Sequence, residues 1–113
     1  MAAVEQEYRS CNAAITLAFS VLGKRWNGVI VGALQEGPAS FVVLRRAVNG
    51  ISDTVLSERL GELAEAGLVK RTVAEGPPVA VSYELTPAGA ELSPLLDRIG
   101  DWARKNLQPA STD

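Results

Sequence analysis

Hydroxyls and carboxylates gather between residues 52 and 58, as Ser52, Thr54, Ser57 and Glu58. A hydroxyl can donate to an anionic oxygen and a carboxylate can accept from an amino group, so the set suits recognition by hydrogen bonds. Arg45, Arg46, Arg59, Lys70 and Arg71 flank it in sequence, and cations beside such a set favour an anionic partner. Bond-breaking chemistry finds little to use. The chain has no histidine and a single cysteine, Cys11. It therefore offers no Ser-His-Asp set, no HExxH and no Gly-rich phosphate loop. A zinc site would need carboxylates alone, whereas zinc prefers nitrogen and sulfur ligands. No catalytic residue, metal or cofactor is expected, and Glu62 and Glu65 read as solvated carboxylates.

The element that must carry the polar set is a helix over Ser52 to Ala66. Ser52 is a good N-cap, Asp53 suits the positive end of the helix dipole, and Gly67 supplies a left-handed stop. Leu56, Leu60 and Leu63 recur at helical spacing and form one apolar stripe. Thr54, Ser57, Glu58 and Gly61 lie opposite, small or polar. Arg59 falls at the stripe's edge, where it can face an anionic partner or hold a backbone carbonyl or carboxylate of its own chain. Two β-type runs follow, Leu68 to Val73 and Val79 to Leu85, around the breaker Glu75-Gly76-Pro77-Pro78.

Upstream, Asn12 can cap an apolar helix to about Leu22, and Gly23 breaks it. A second helix is expected from about Arg25 to Gln35, and Ser40 caps a third from Phe41 to Val48. Asn49-Gly50 is a turn signal that delivers the chain to Ser52. This is helix-turn-helix order, with Ser52 to Ala66 as the recognition helix and the hairpin as a wing. Thr86-Pro87 opens a last helix whose stripe includes Leu95, Ile99 and Trp102. Pro94 within it marks either a kink or a late start near Ser93. The expected fold is thus mainly α with a small β-hairpin wing, a winged helix-turn-helix. It forms a single domain over 1–113, with flexible arms at 1–10 and 108–113.

With 113 residues the chain has room for one core. A single cysteine suits a reducing, cytoplasmic setting, and no secretory signal or membrane span is expected. A net charge of −2 cuts against nucleic-acid binding. Its distribution is more favourable, because residues 24–71 hold seven Lys/Arg against five Asp/Glu, a local excess of +2. The first helix is apolar nearly all round, which a small domain cannot cover alone. The seam of a homodimer is therefore expected at Ile15, Leu17, Phe19, Leu95, Ile99 and Trp102. Trp26 and Trp102 read as core or seam residues rather than a ligand box.

Several segments together resemble the HxlR-type regulators, relatives of the MarR group. They are Leu22-Gly23-Lys24-Arg25-Trp26, Phe41 to Arg46 with Gly50-Ile51-Ser52, Leu56-Ser57-Glu58-Arg59-Leu60, Glu65-Ala66-Gly67-Leu68-Val69 and Val81 to Gly89. The resemblance implies a homodimeric winged-helix transcriptional regulator, a repressor acting on an inverted repeat of double-stranded DNA. Ser52, Thr54, Ser57, Glu58, Arg59, Arg45, Arg46, Lys70 and Arg71 are its candidate contacts. The family often carries a cysteine before the first helix, which makes Cys11 a candidate redox sensor. A small-molecule effector between the terminal helices is a further expectation. The competing expectation is a winged helix that binds protein and not DNA, which the acidic balance favours.

Overall fold

The computed structural model describes residues 13–109, so Cys11, Asn12, the expected arm at 1–10 and most of the one at 108–113 lie outside the described residues. Five helices and a two-stranded hairpin follow in the order expected. Helix α1 is described over 13–22, α2 spans Asn27–Ala33 with a 3-10 turn at Leu34–Glu36, and α3 spans Phe41–Ala47. Helix α4 is Asp53–Glu65, strands β1 and β2 are Val69–Ala74 and Ala80–Leu85, and α5 is Pro87–Asn106.

The buried core lies where α2, α3, α4 and β1 meet, and comprises Ile30, Val31, Leu34, Leu44, Val48, Ile51, Leu56, Leu60, Leu63 and Val69. Trp26, Phe41, Tyr83, Leu92 and Leu96 pack around it. All three leucines of the predicted α4 stripe are inside, at 0–2% exposure. Burying each stabilises the fold by about 1.5–3 kcal/mol. The stripe therefore fixes which side of α4 faces outward.

The helix ends follow the chemistry read from the sequence. Ser40 Oγ accepts from the Val43 amide at 3.2 Å, Ser52 Oγ from Val55 at 3.1 Å and Thr86 Oγ1 from Gly89 at 3.2 Å. At the end of α4, Gly67 has φ of 80°. Its N–H donates to Ala64 O and the Leu68 N–H to Leu63 O, the paired bonds of a Schellman stop. Helix α5 is locked onto that stop, because the Thr86 hydroxyl donates to Gly67 O at 2.5 Å and the Thr86 N–H to Leu68 O at 3.1 Å. Gly89 is buried there, and a Cβ on it would run into the Leu68 carbonyl.

Three differences from the sequence reading have local causes. Helix α2 begins at Asn27 rather than near Arg25 because Trp26 takes a left-handed φ of 84°, a rare conformation that its surroundings must hold in place. The indole packs toward the α3–α4 turn, 3.6 Å from where a Cβ on Gly50 would sit. The next residue, Asn27, is fully buried, and its Nδ2 donates to Val21 O at 2.8 Å, tying α1 to α2. Second, α5 starts at Pro87 and runs through Pro94, so the late start near Ser93 does not occur. Third, Ala39 forms an antiparallel bridge with Tyr83, through N–H···O bonds of 2.9 and 2.8 Å, and widens the wing sheet. Single-residue pairing of this kind leaves no period in a sequence.

Leu60→Ala should lower the unfolding free energy by about 2–5 kcal/mol in denaturant melts, since the side chain is 2% exposed. Thr54→Ala, on the exposed side of the same helix, should stay within about 0.5 kcal/mol. Equal losses would mean that the stripe does not orient α4.

Candidate nucleic-acid interface

Because Leu56, Leu60 and Leu63 point inward, Thr54, Ser57, Glu58 and Gly61 come to lie on the exposed side of α4. Thr54, Ser57 and Gly61 add little bulk there, so another surface can approach the helix closely. Ser52, also exposed, spends an oxygen lone pair on its cap bond and keeps its O–H free to donate. This is the lean polar face read from the sequence, in solvent and uncovered by the described chain.

The candidate cations are placed less uniformly. Arg45 and Arg46 are exposed on the last turn of α3, but Arg45 Nη1 donates to both Asp53 oxygens, at 3.1 and 3.2 Å. Lys70 and Arg71 are exposed on β1, opposite Glu84 and Tyr83. As neighbours on one strand they leave opposite faces of the hairpin, so they cannot serve one flat surface together. Arg59 is turned away from the outer side of α4 and donates to Glu62 Oε1 at 2.5 Å. Lys24 reaches Glu62 Oε2 at 3.2 Å from the turn after α1.

Glu62 is thus not merely a solvated carboxylate: still partly exposed, it is paired and joins α4 to the α1–α2 turn. The i,i+3 spacing of Arg59 and Glu62 was a readable signal, whereas Lys24 arrives only through the tertiary fold. Burial by itself would raise the Glu62 carboxyl. The Lys24 hydrogen bond and the Arg59 and Lys24 charges outweigh it and hold the group below its ordinary 4.5. Asn27 is the other linker absent from the sequence reading, since nothing in its neighbours marks it as buried.

On the far side of the core, α1 and α5 leave apolar surface in solvent. Ile15, Leu17 and Phe19 are exposed on α1, and Leu95, Ile99 and Trp102 on α5. Between α1, the end of α4 and α5 runs an apolar groove of about 440 Å³, lined by Leu17, Val21, Leu22, Ala66, Leu68 and Leu92. No helix among the described residues is long and apolar enough to cross a membrane, and none of their His, Cys, Asp and Glu side chains cluster as a metal site would require.

A capped recognition helix preceded by a short helix and a tight turn, and followed by a hairpin, defines the winged helix-turn-helix class. Residues 21–111 match the HxlR-like helix-turn-helix family, and the chain belongs to it. It is 40% identical over 95 residues to the HTH-type transcriptional regulator YodB of Bacillus subtilis, covering 84% of this chain and 85% of that one. The reduced form of B. subtilis YodB superimposes with a TM-score of 0.77 at 38% identity, covering 87% of this chain and 96% of that one. The redox regulator HypR in its oxidized form gives 0.78 at 28% identity, covering 85% and 99%. The protein is a transcriptional regulator of helix-turn-helix type, not an enzyme.

A carboxylate held below its unfolded value contributes stability above that value and loses it as the pH falls through the lowered one. Glu62→Gln should therefore be less stable than the parent at neutral pH, with the difference shrinking as the pH falls below the ordinary 4.5. Urea melts across that range check this. A difference independent of pH would show that the charge on Glu62 does not hold the cluster.

Proposed function

We propose that the protein is a cytoplasmic homodimeric repressor that reads an inverted repeat in double-stranded DNA with the outer face of α4. The observation that carries this reading is the lean, exposed face of Thr54, Ser57, Glu58 and Gly61, oriented by the buried leucines behind it. A helix must come close to base edges to read them, and small side chains permit that approach. Ser52, Thr54 and Ser57 donate to phosphates or bases, and Glu58 accepts from cytosine. Arg45 and Arg46 on the preceding helix, with whichever of Lys70 and Arg71 lies on the duplex side of the wing, contact phosphates. Arg59 acts indirectly, through Glu62. The exposed apolar side chains of α1 and α5 support a seam between two copies, which presents two α4 helices to half-sites about one helical turn apart.

Selection of bound duplexes from random DNA, followed by titration with salt, tests the reading. Binding should weaken steeply as salt rises, because phosphate contacts release counterions. Ser57→Glu should abolish it with the fold intact, since the new charge faces phosphates. Binding unaffected by Ser57→Glu would overturn the assigned face. No duplex binding at low salt would leave the winged helix as a protein-interaction module.

Redox control through Cys11 is supported by the likeness to regulators solved in reduced and oxidized forms. In this reading two Cys11 thiols, one from each copy, lose two protons and pass two electrons to a thiol oxidant as one disulfide forms. Non-reducing gels after oxidant should show a covalent dimer that Cys11→Ser abolishes. Monomer alone, with Cys11→Ser regulating as the parent does, would contradict it and would shift attention to a small apolar effector in the groove beside α1.

A further inference from the structure

Of Arg45, Arg46, Lys70 and Arg71, Arg45 is the one that holds a carboxylate among the described residues. The pair joins two elements, the end of α3 and the first turn of α4. A single nitrogen, Nη1, spans both Asp53 oxygens at 3.1 and 3.2 Å, so the rest of the guanidinium remains available to a second anion. The dipole of α4 also favours a carboxylate at this position. Both side chains stay in solvent, at 44% and 61% exposure. Such a pair adds little to folding stability. Its consequence is electrostatic, because an anion approaching Arg45 meets a carboxylate already in place.

We infer that Asp53 is a built-in competitor for backbone phosphate at Arg45, so that it lowers the affinity of this surface for duplex DNA. The inference rests on the DNA-binding reading and adds to it a residue that opposes binding. While the pair stands, Arg45 contributes almost no net attraction at long range. When a phosphate oxygen is seated against the guanidinium, Asp53 either yields its place or repels the newcomer from a few ångströms away. In both cases the DNA gains less than a free arginine would supply. Arg46, one residue along and without a carboxylate partner among the described residues, is not restrained in this way.

The test is a double-mutant cycle on the full chain, comparing the parent, Asp53→Asn, Arg45→Ala and the double variant. Each is titrated against one duplex of arbitrary sequence and one recovered by selection, between about 50 and 200 mM salt. Asp53→Asn should bind at least about threefold more tightly at low salt, the factor for one like-charge contact near 6 Å in a water-like dielectric. Its log–log salt slope should steepen by about 0.9, the value for one more phosphate. In the Arg45→Ala background the same change should leave the slope unaltered. Circular dichroism checks that α4 is intact, and Asp53→Ser, which keeps a helix-starting side chain, should behave as Asp53→Asn does. If Asp53→Asn matches the parent in affinity and slope, or gains as much without Arg45, the competitor role is wrong while the DNA-binding reading stands. If the parent binds neither duplex, that reading falls and the inference with it.

Discussion

The burial of Leu56, Leu60 and Leu63 against α2, α3 and β1 is the constraint on which the rest of the molecule depends. A helix can rotate about its axis at little cost unless one side is anchored. Three leucines at 0–2% exposure anchor α4 along most of its length. Rotation by even a third of a turn would bring an apolar stripe into solvent and push Ser57 or Glu58 into a close-packed core. Ser52 at one end and Gly67 at the other fix its length. Gly67 also fixes where α5 begins, through the Thr86 hydroxyl. The recognition helix and the terminal helix are therefore parts of one rigid corner.

A second constraint concerns the other side of the molecule. Helix α1 is rich in apolar side chains that the described chain leaves in solvent, and α5 carries Leu95, Ile99 and Trp102 in the same condition. Two polar contacts tie the α1 end of this side inward: Asn27 holds the Val21 carbonyl to α2, and Lys24, in the turn after α1, holds Glu62 of α4. A displacement of α1 would bear on α4 through the Lys24–Glu62 pair and through the apolar groove that Leu17, Val21 and Leu22 share with Ala66. The outer side of α4 and the apolar side chains exposed on α1 are thus joined by a short physical path.

The sequence made the helices, their caps and the hairpin legible because each rests on local chemistry. Leucine spacing identified the inner side of α4, and Ser40, Ser52, Thr86 and Gly67 marked boundaries correct to within a residue or two. The outer side of α4 was legible for the same reason. What escaped depended on the tertiary fold. The left-handed backbone of Trp26 and the burial of Asn27 arise from the way α1 folds back on α2. Asp53 reaches Arg45, and Lys24 reaches Glu62, from other elements, so charges that look solvated along the chain are paired in space. The alternation that separates Lys70 from Arg71 was available from the strand assignment, yet it limits the wing only once the hairpin is taken as a surface.

A cutting group placed on α4 itself tests the central claim most directly. In a Cys11→Ser background, Glu65→Cys puts a thiol on the exposed side of α4, at the end away from Ser52. A hydroxyl-radical-generating iron chelate attached there should cleave a selected duplex in two clusters, about one helical turn apart and related by the symmetry of the site. A single cluster, or cleavage spread evenly along the duplex, would contradict a pair of recognition helices seated in adjacent major grooves.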